Sequence, residues 1–445
     1  MQYLVLAMLF VVSCVYWLTD KTHILPPQLA FVPEGLSALV LLYVIVAGPA
    51  KRFHNVRAQY WIVFGLIGVI IICGIVSNQV APGPVFAGLR YYARAIPLFF
   101  LPAVYAFTEE NVRKQMRFLL LICLVQLPLA VRERLVVMGS GRWSGDSVVG
   151  SFEDSSVLSI VLICAACVAT AMVMRGKLTR MKYLLLFFIV LIPTTINETK
   201  ATLILLPIGL VTTMLVASAP GRRLRVAVGA ITLLVTFFAM FAPIYDYLER
   251  DNPYKVSIWN FFTEQQKFQR YVDQNADTGS KHVGRLDGIT VPLRHLERDP
   301  VQFAFGVGIG NASHSQMGEH FTGAYYLIFQ KFLLSSLTSF MLEIGIFGTV
   351  LVFILYWMIF KDALMVARTD ETFMGAFAAA WAGIVAMTLF TMPYKTTYVF
   401  PSLSYLFWYL SGVVAARRMV LAHAAQPVRA PTRSTPSIAT MGQST

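Results

Sequence analysis

Residues 60–78 read YWIVFGLIGVIIICGIVSN, nineteen residues without one Asp, Glu, Lys or Arg. At a rise of ~1.5 Å per residue, a helix of this length approaches the ~30 Å hydrocarbon thickness of a bilayer. Only a helix or a closed barrel can satisfy its backbone hydrogen bonds there, because no water is at hand. Similar runs recur along the whole chain. Of its 445 residues, 57% are hydrophobic and 13% charged, with a mean hydropathy of +0.65. A soluble domain carries about 25% charged residues. The fold class expected is therefore an all-α polytopic membrane protein.

Working outward from residues 60–78, the apolar runs cover 2–19, 29–50, 60–78, 86–107, 118–135, 154–174, 183–197, 201–219, 226–248, 332–360, 373–392 and 400–416, which predicts about twelve transmembrane helices. The connectors fix an orientation. Lys51, Arg52 and Arg57 follow the second run, and Arg113, Lys114 and Arg117 the fourth. Arg175, Lys177, Arg180 and Lys182 follow the sixth; Arg222, Arg223 and Arg225 follow the eighth. Lys361 and Arg368 follow the tenth, and Arg417 and Arg418 the twelfth. Every basic cluster follows an even-numbered run, so the positive-inside bias predicts that both termini are cytoplasmic. The same pattern accounts for the net charge of +13 without nucleic acid. The first run lacks a basic flank and a small-residue cleavage site, and reads as a retained span.

Four segments follow: helices 1–9 over 1–248, a large partly helical outer loop between helices 9 and 10 over 249–331, helices 10–12 over 332–416, and a tail over 417–445. The tail is rich in Pro, Ala, Ser and Thr and is expected to be disordered. In the loop, Arg285-Leu286-x-x-Ile289-x-x-Pro292-Leu293-x-x-Leu296 has helical spacing. All five cysteines (Cys14, Cys73, Cys123, Cys164 and Cys167) lie in apolar runs, which fits small packing residues rather than a disulfide framework or metal site.

The candidate chemistry sits at the outer ends of the runs, where charge beside lipid calls for a partner or a cavity. Arg90 and Arg94 lie on one helix face and run against the positive-inside bias; anion binding and interfacial snorkelling both account for them. Asn197-Glu198-Thr199-Lys200 is a short outer connector, either a local ion pair or an anion site at a helix start. Gly284-Arg285 precedes the helical stretch of the loop, and Gly306-Val307-Gly308-Ile309-Gly310-Asn311 follows it. Those three glycines permit positive φ or close backbone approach. His282, His295, His314 and His320 lie in the loop without an HExxH or paired-Cys pattern, so no metal is expected. Glu343 is an acid inside the tenth run, and Asp154 stands at the start of the sixth.

This layout resembles the O-antigen ligase/polymerase superfamily, membrane glycosyltransferases acting on undecaprenyl-diphosphate-linked glycans. The family's Ser-Arg-small triplet corresponds to Thr199-Lys200-Ala201, its early loop Arg to Arg285, and its Gly-rich segment to Gly306–Asn311. Its motif of His, then Asn/Ser/Gln, nine residues, Gly, two residues and Gly/Thr/Tyr falls on Ser335, Gly345 and Gly348, with Glu343 two residues before the first Gly. Two positions depart: the motif histidine is Leu334, and the triplet Arg is Lys200. The missing histidine favours polymerase over ligase.

The resemblance implies a polymerase of lipid-linked polysaccharide repeat units in a bacterial inner membrane, active on the periplasmic face and without cofactor or metal. Its partners would be the undecaprenyl-diphosphate-linked glycan, membrane lipids and other polysaccharide-assembly proteins. Arg90, Arg94, Lys200 and Arg285 would hold the diphosphate, and Glu198, Asp154, His314 or His320 would act as base. Two alternatives stay open: ligase-type transfer to another acceptor, and a lipid-glycan flippase or secondary transporter, for which Pro128, Pro193 and Pro207 would break helices.

Overall fold

The apolar runs fold as helices, and no strand occurs among the described residues of the computed structural model, which are 1–51, 55–139, 147–197, 199–248, 286–315, 317–332 and 335–425. Glu198, Arg285, Leu334, His282, residues 249–285 of the expected loop and the tail from 426 lie outside them. In chain order the helices are α1 (Gln2–Tyr16), α2 (Val32–Lys51), α3 (Ala58–Ser77), α4 (Pro82–Ala93), α5 (Ile96–Val104) and α6 (Glu109–Gly139). Then come α7 (Ser155–Met174), α8 (Arg180–Ile196), α9 (Thr202–Ala217), α10 (Arg223–Leu248), α11 (Asp287–Leu296) and α12 (Pro300–Phe305). The last four are α13 (Tyr326–Phe329), α14 (Ser336–Thr369), α15 (Phe373–Thr391) and α16 (Pro401–Ala424).

Among the described residues, seven helical segments are long and apolar enough to cross a membrane: Gln2–Lys21, Pro27–Pro49, Ala58–Ser77, Ser155–Met174, Leu224–Tyr247, Ser336–Thr369 and Phe373–Thr391. The chain thus has the character of a multi-pass membrane protein. Its centre is α15, of whose most apolar stretch 72% is buried, against 22% in the corresponding stretches of α2, α3 and α10. Small residues let α15 and α9 approach closely: a Cβ on Gly383 would stand 2.1 Å from Thr213 Oγ1 and 2.5 Å from Gly209 O. Without a hydrophobic drive between helices in lipid, such close van der Waals packing is what associates them.

Two expectations need correction. The run 86–107 is not one helix but α4 and α5, separated at Arg94 and Ala95. The cause is Pro97 at the start of α5, which has no N–H for the helix ladder and restricts the residue before it. The run 118–135 is only the middle of the longer α6, which starts at Glu109 and continues to Gly139. Near its end, Glu133 Oε2 accepts from the backbone N–H groups of Val149 and Gly150, at 2.9 and 2.8 Å.

The bundle has two polar ends. At one, Asp362 of α14 is fully buried and accepts from Arg57 Nη1 (2.9 Å), Tyr60 Oη (2.8 Å) and Arg418. Asp370 pairs there with Arg417 at 2.7 Å. A buried carboxylate needs such partners, because losing its hydration costs more than a single weak contact returns. The opposite end carries residues 286–315 and 317–332 and is called the loop end below. There α11 and α12 pack against α14, and Thr338 Oγ1 donates to Gly288 O at 2.8 Å.

Candidate functional site at the loop end

The glycine run is the wedge that shapes the loop end. Gly306, Gly308 and Gly310 take φ of 77°, 95° and 74°, the left-handed region that side chains resist. Each is also pressed against another backbone: Gly306 against Gly345, Gly308 against Gly74, and Gly310 against Gly88 and Pro84. Val307 N–H donates to Leu342 O at 2.7 Å, where α14 is interrupted at Gly345 (φ 66°, ψ −174°). Asn78 Nδ2 braces the run by donating to Gly306 O at 2.9 Å.

This packing sets Ser313 against Glu343, two residues before the α14 break at Gly345. Ser313 Oγ donates to Glu343 Oε1 at 2.6 Å, and the glutamate has no exposure to solvent. Among the described residues Glu343 Oε2 has no hydrogen bond of good geometry, although the Tyr92 hydroxyl and the backbone of Gly310 and Ala312 lie around the carboxyl. Tyr92 and Tyr398 pack together with ring centroids 4.8 Å apart. An acid so placed is either a charge held for a purpose or a protonated donor.

Arg90 and Arg94 do share one face, as their spacing predicts, and that face meets Glu34 of α2. Arg90 Nε lies 2.7 Å from Glu34 Oε2, and Arg94 Nη1 lies 3.2 Å from Glu34 Oε1. Arg94 also donates to Val399 O, and its own carbonyl accepts from Ser37 Oγ. The Arg90 guanidinium stands 4.8 Å from the Phe31 ring centroid. Both guanidinium groups meet this one carboxylate, with buried Glu153 also within the field of Arg94, and among the described residues buried Arg90 Nη1 and Arg94 Nε carry N–H groups without a hydrogen bond. Such forked donors suit phosphate oxygens.

Asp154 is less available as a base than its position suggests. It caps α7, accepting from Ser156 N (2.8 Å) and Ser156 Oγ (2.5 Å), and pairs with Lys395 Nζ at 3.0 Å. Burial alone would raise its carboxyl, but Lys395 and the Ser156 hydrogen bonds outweigh burial and hold it below the usual range. Neighbouring Glu153 goes the other way. Burial pushes it up, and the hydrogen bonds it receives from Ser402 only partly offset that.

One segment, residues 395–402, ties these groups together. It contributes Lys395 to Asp154, Tyr398 to Tyr92, Val399 O to Arg94 and Ser402 to Glu153. Ser336 in the first turn of α14 donates to Lys395 O at 3.2 Å and accepts from Thr397 N at 2.8 Å. The N-terminal ends of α7, α14 and α16 therefore meet at this segment. The connector with Lys200 is anchored nearby, since Asn197 Nδ2 donates to Ser155 O at 2.8 Å.

The loop histidines are placed differently. His314 and His320 are exposed, the first against Tyr326 and the second beside Phe321. His295 packs between Tyr325 and Phe329, and burial, with Arg298 nearby, lowers its pKa. Among the described residues no three His, Cys, Asp or Glu side chains gather as a metal site would require.

Sequence reasoning passed over Glu34, Glu153, Tyr92, Tyr398 and Lys395. Only Lys395 carried a signal: it is a basic residue in an odd connector, against the same bias that singled out Arg90. Chemically, the site offers two guanidinium groups with unbonded N–H donors among the described residues and a buried acid, which suits an anionic group such as a phosphate or carboxylate. A scan against family models finds no match for this chain, and a search of curated proteins finds none either.

Proposed function

We propose that the protein is a twelve-span membrane glycosyltransferase that polymerises lipid-diphosphate-linked glycan units, with the loop end on the periplasmic side of a bacterial inner membrane. One observation carries this assignment. Arg90 and Arg94, outnumbering their partner Glu34, are linked through residues 395–399 to Lys395 at the N-terminal ends of α7 and α14. A lipid-linked diphosphate leaving group gains negative charge as the glycosidic bond breaks, and preorganised cations stabilise it most when that charge is fullest. The attacking sugar hydroxyl gives its proton to a carboxylate or imidazole. With Asp154 committed to Lys395, the remaining proton acceptors are Glu343, His314, His320 and Glu198. The lipid diphosphate is itself an activated donor, so no nucleotide enters the step.

A second assignment has its own support. The break between α4 and α5 and the break at Gly345, with buried Glu343 two residues away, resemble the discontinuous helices of secondary transporters. One experiment separates the two. The purified chain is reconstituted in vesicles with lipid-linked repeat units. Glycan lengthening supports the polymerase, movement of the unit between leaflets without lengthening supports the transporter, and transfer to a non-growing acceptor supports the ligase. The orientation is tested separately: cysteine at Thr278 should react with an impermeant reagent from the periplasm and cysteine at Ala219 should not.

A further inference from the structure

A cavity of about 380 Å³ runs between α6, α7, α8, α15 and α16, apart from the Arg90–Arg94 pair. Along α15 its wall extends from Phe373 to Thr391, and it ends at Thr397 and Tyr398 of the loop end; at the helical rise that is about 27 Å, close to the ~30 Å hydrocarbon thickness of a bilayer. The wall is overwhelmingly aliphatic and aromatic, with Trp381, Phe377 and Phe407 among its rings. Its charged members are Arg113, Arg117 and Lys177, and no Asp or Glu lines it.

Those three cations sit at one mouth, away from the loop end. Arg113 and Arg117 occupy the early turns of α6, and Lys177 follows the last turn of α7. Arg113 is partly offset by Glu109 at 2.7 Å, and Arg117 approaches Glu110 at 3.9 Å. Lys177 has no acidic partner among the described residues, and buried Arg113 Nε makes no hydrogen bond. Its guanidinium stands 5.2 Å from the Phe373 ring centroid, at the rim.

We propose that this cavity binds one acyl chain of an anionic phospholipid from the leaflet on the Arg113 side, with the phosphate held by Arg113, Arg117 and Lys177. A long apolar bore suits a hydrocarbon chain, and a mouth whose three cations outnumber the neighbouring Glu109 and Glu110 selects a negative headgroup. A peptide segment fits poorly, because its backbone groups would find no partners in such a lining. The headgroup position lies at the end opposite the Arg90–Arg94 pair, although the bore reaches Tyr398, and the proposal does not rest on the glycosyl-transfer assignment.

The test uses the full chain in detergent, titrated with dioleoyl phosphatidylglycerol or dioleoyl phosphatidylcholine and read by native mass spectrometry. One phosphatidylglycerol should be retained at least tenfold better than phosphatidylcholine. Arg113→Gln and Lys177→Gln should each lower that retention about fivefold. Both substitutions are at the rim and keep the test independent of core packing. Ala169→Phe, which fills the bore, should lower retention of both lipids. Equal retention of the two lipids, or retention unchanged in the Arg113→Gln/Lys177→Gln double variant, overturns the proposal. So does a polyprenyl phosphate that displaces phosphatidylglycerol and keeps its own affinity in that double variant, which would assign the bore to a substrate chain.

Discussion

Gly306 and Gly345 press their backbones together: a Cβ on Gly306 would lie 2.6 Å from Gly345 N, and one on Gly345 would lie 2.5 Å from Gly306 N. Both also hold positive φ. Gly345→Ala therefore combines backbone strain with overpacking, a cost of about 3 kcal/mol or more. Its melting temperature in detergent should fall well below that of Gly139→Ala, where a Cβ meets open space. Equal melting of the two would mean that the glycine run does not hold α14 open at this point.

Helix positions were legible in the sequence because hydrophobicity is additive along a run, as in residues 60–78. The α11 helix was legible from its spacing, and the glycine run from its repeated Gly. What the glycines press against was not legible, since Gly74, Gly88 and Gly345 come from three distant runs. Glu34 was hidden for the same reason: an acid at the start of an apolar run has no local sign that two arginines, fifty-six and sixty residues on, will meet it. The break before α5 was readable in principle from Pro97, but hydropathy averages across a proline and reports one continuous span.

Glu34 and the two arginines give a prediction on stability and function together. Glu34→Gln leaves two poorly solvated guanidinium groups without their carboxylate, and should destabilise the protein by about 3 kcal/mol. Arg94→Ala should reduce glycan lengthening on the order of a hundredfold, the scale seen when one charge-stabilising donor is removed. The assay is gel separation of glycan products in vesicles, with matched amounts of folded protein. Full activity in Arg94→Ala would remove it from the diphosphate clamp.

The adjacent carboxylates Glu153 and Asp154 should respond oppositely to pH. Asp154 is lowered, so its contribution is present above the unfolded carboxylate value of about 4 and is lost as pH falls through the folded one. Lys395→Met removes the pairing cation and should move acid unfolding to higher pH. Glu153 is raised, so stability declines as pH climbs from its unfolded value through the folded one. Glu153→Gln keeps an acceptor for Ser402 and carries no charge. It should melt higher than wild type at pH 7, with the difference vanishing below about pH 4. A constant difference across that range would show that Glu153 does not titrate with a raised pKa.

The last prediction concerns which group takes the proton. Glu343 is buried, bonded through one oxygen to Ser313, and set beside the break in α14. Glu343→Gln preserves shape and the acceptor for Ser313 while removing the charge. If Glu343 accepts the proton, lengthening should fall on the order of a hundredfold in Glu343→Gln, and Ser313→Ala should fall less. His314→Ala and His320→Ala, at exposed positions, should then stay near wild type, as should Leu334→Ala at the motif's histidine position. Asp154→Asn tests the remaining described carboxylate, but its melting must be measured alongside, because it also loses the Lys395 pair and weakens the α7 cap. Activity lost at His314 or His320 and kept at Glu343 would place the base on the loop. If Glu343→Gln instead stops movement of the lipid-linked unit and no lengthening occurs in wild type, the buried acid belongs to a transporter's proton or substrate path.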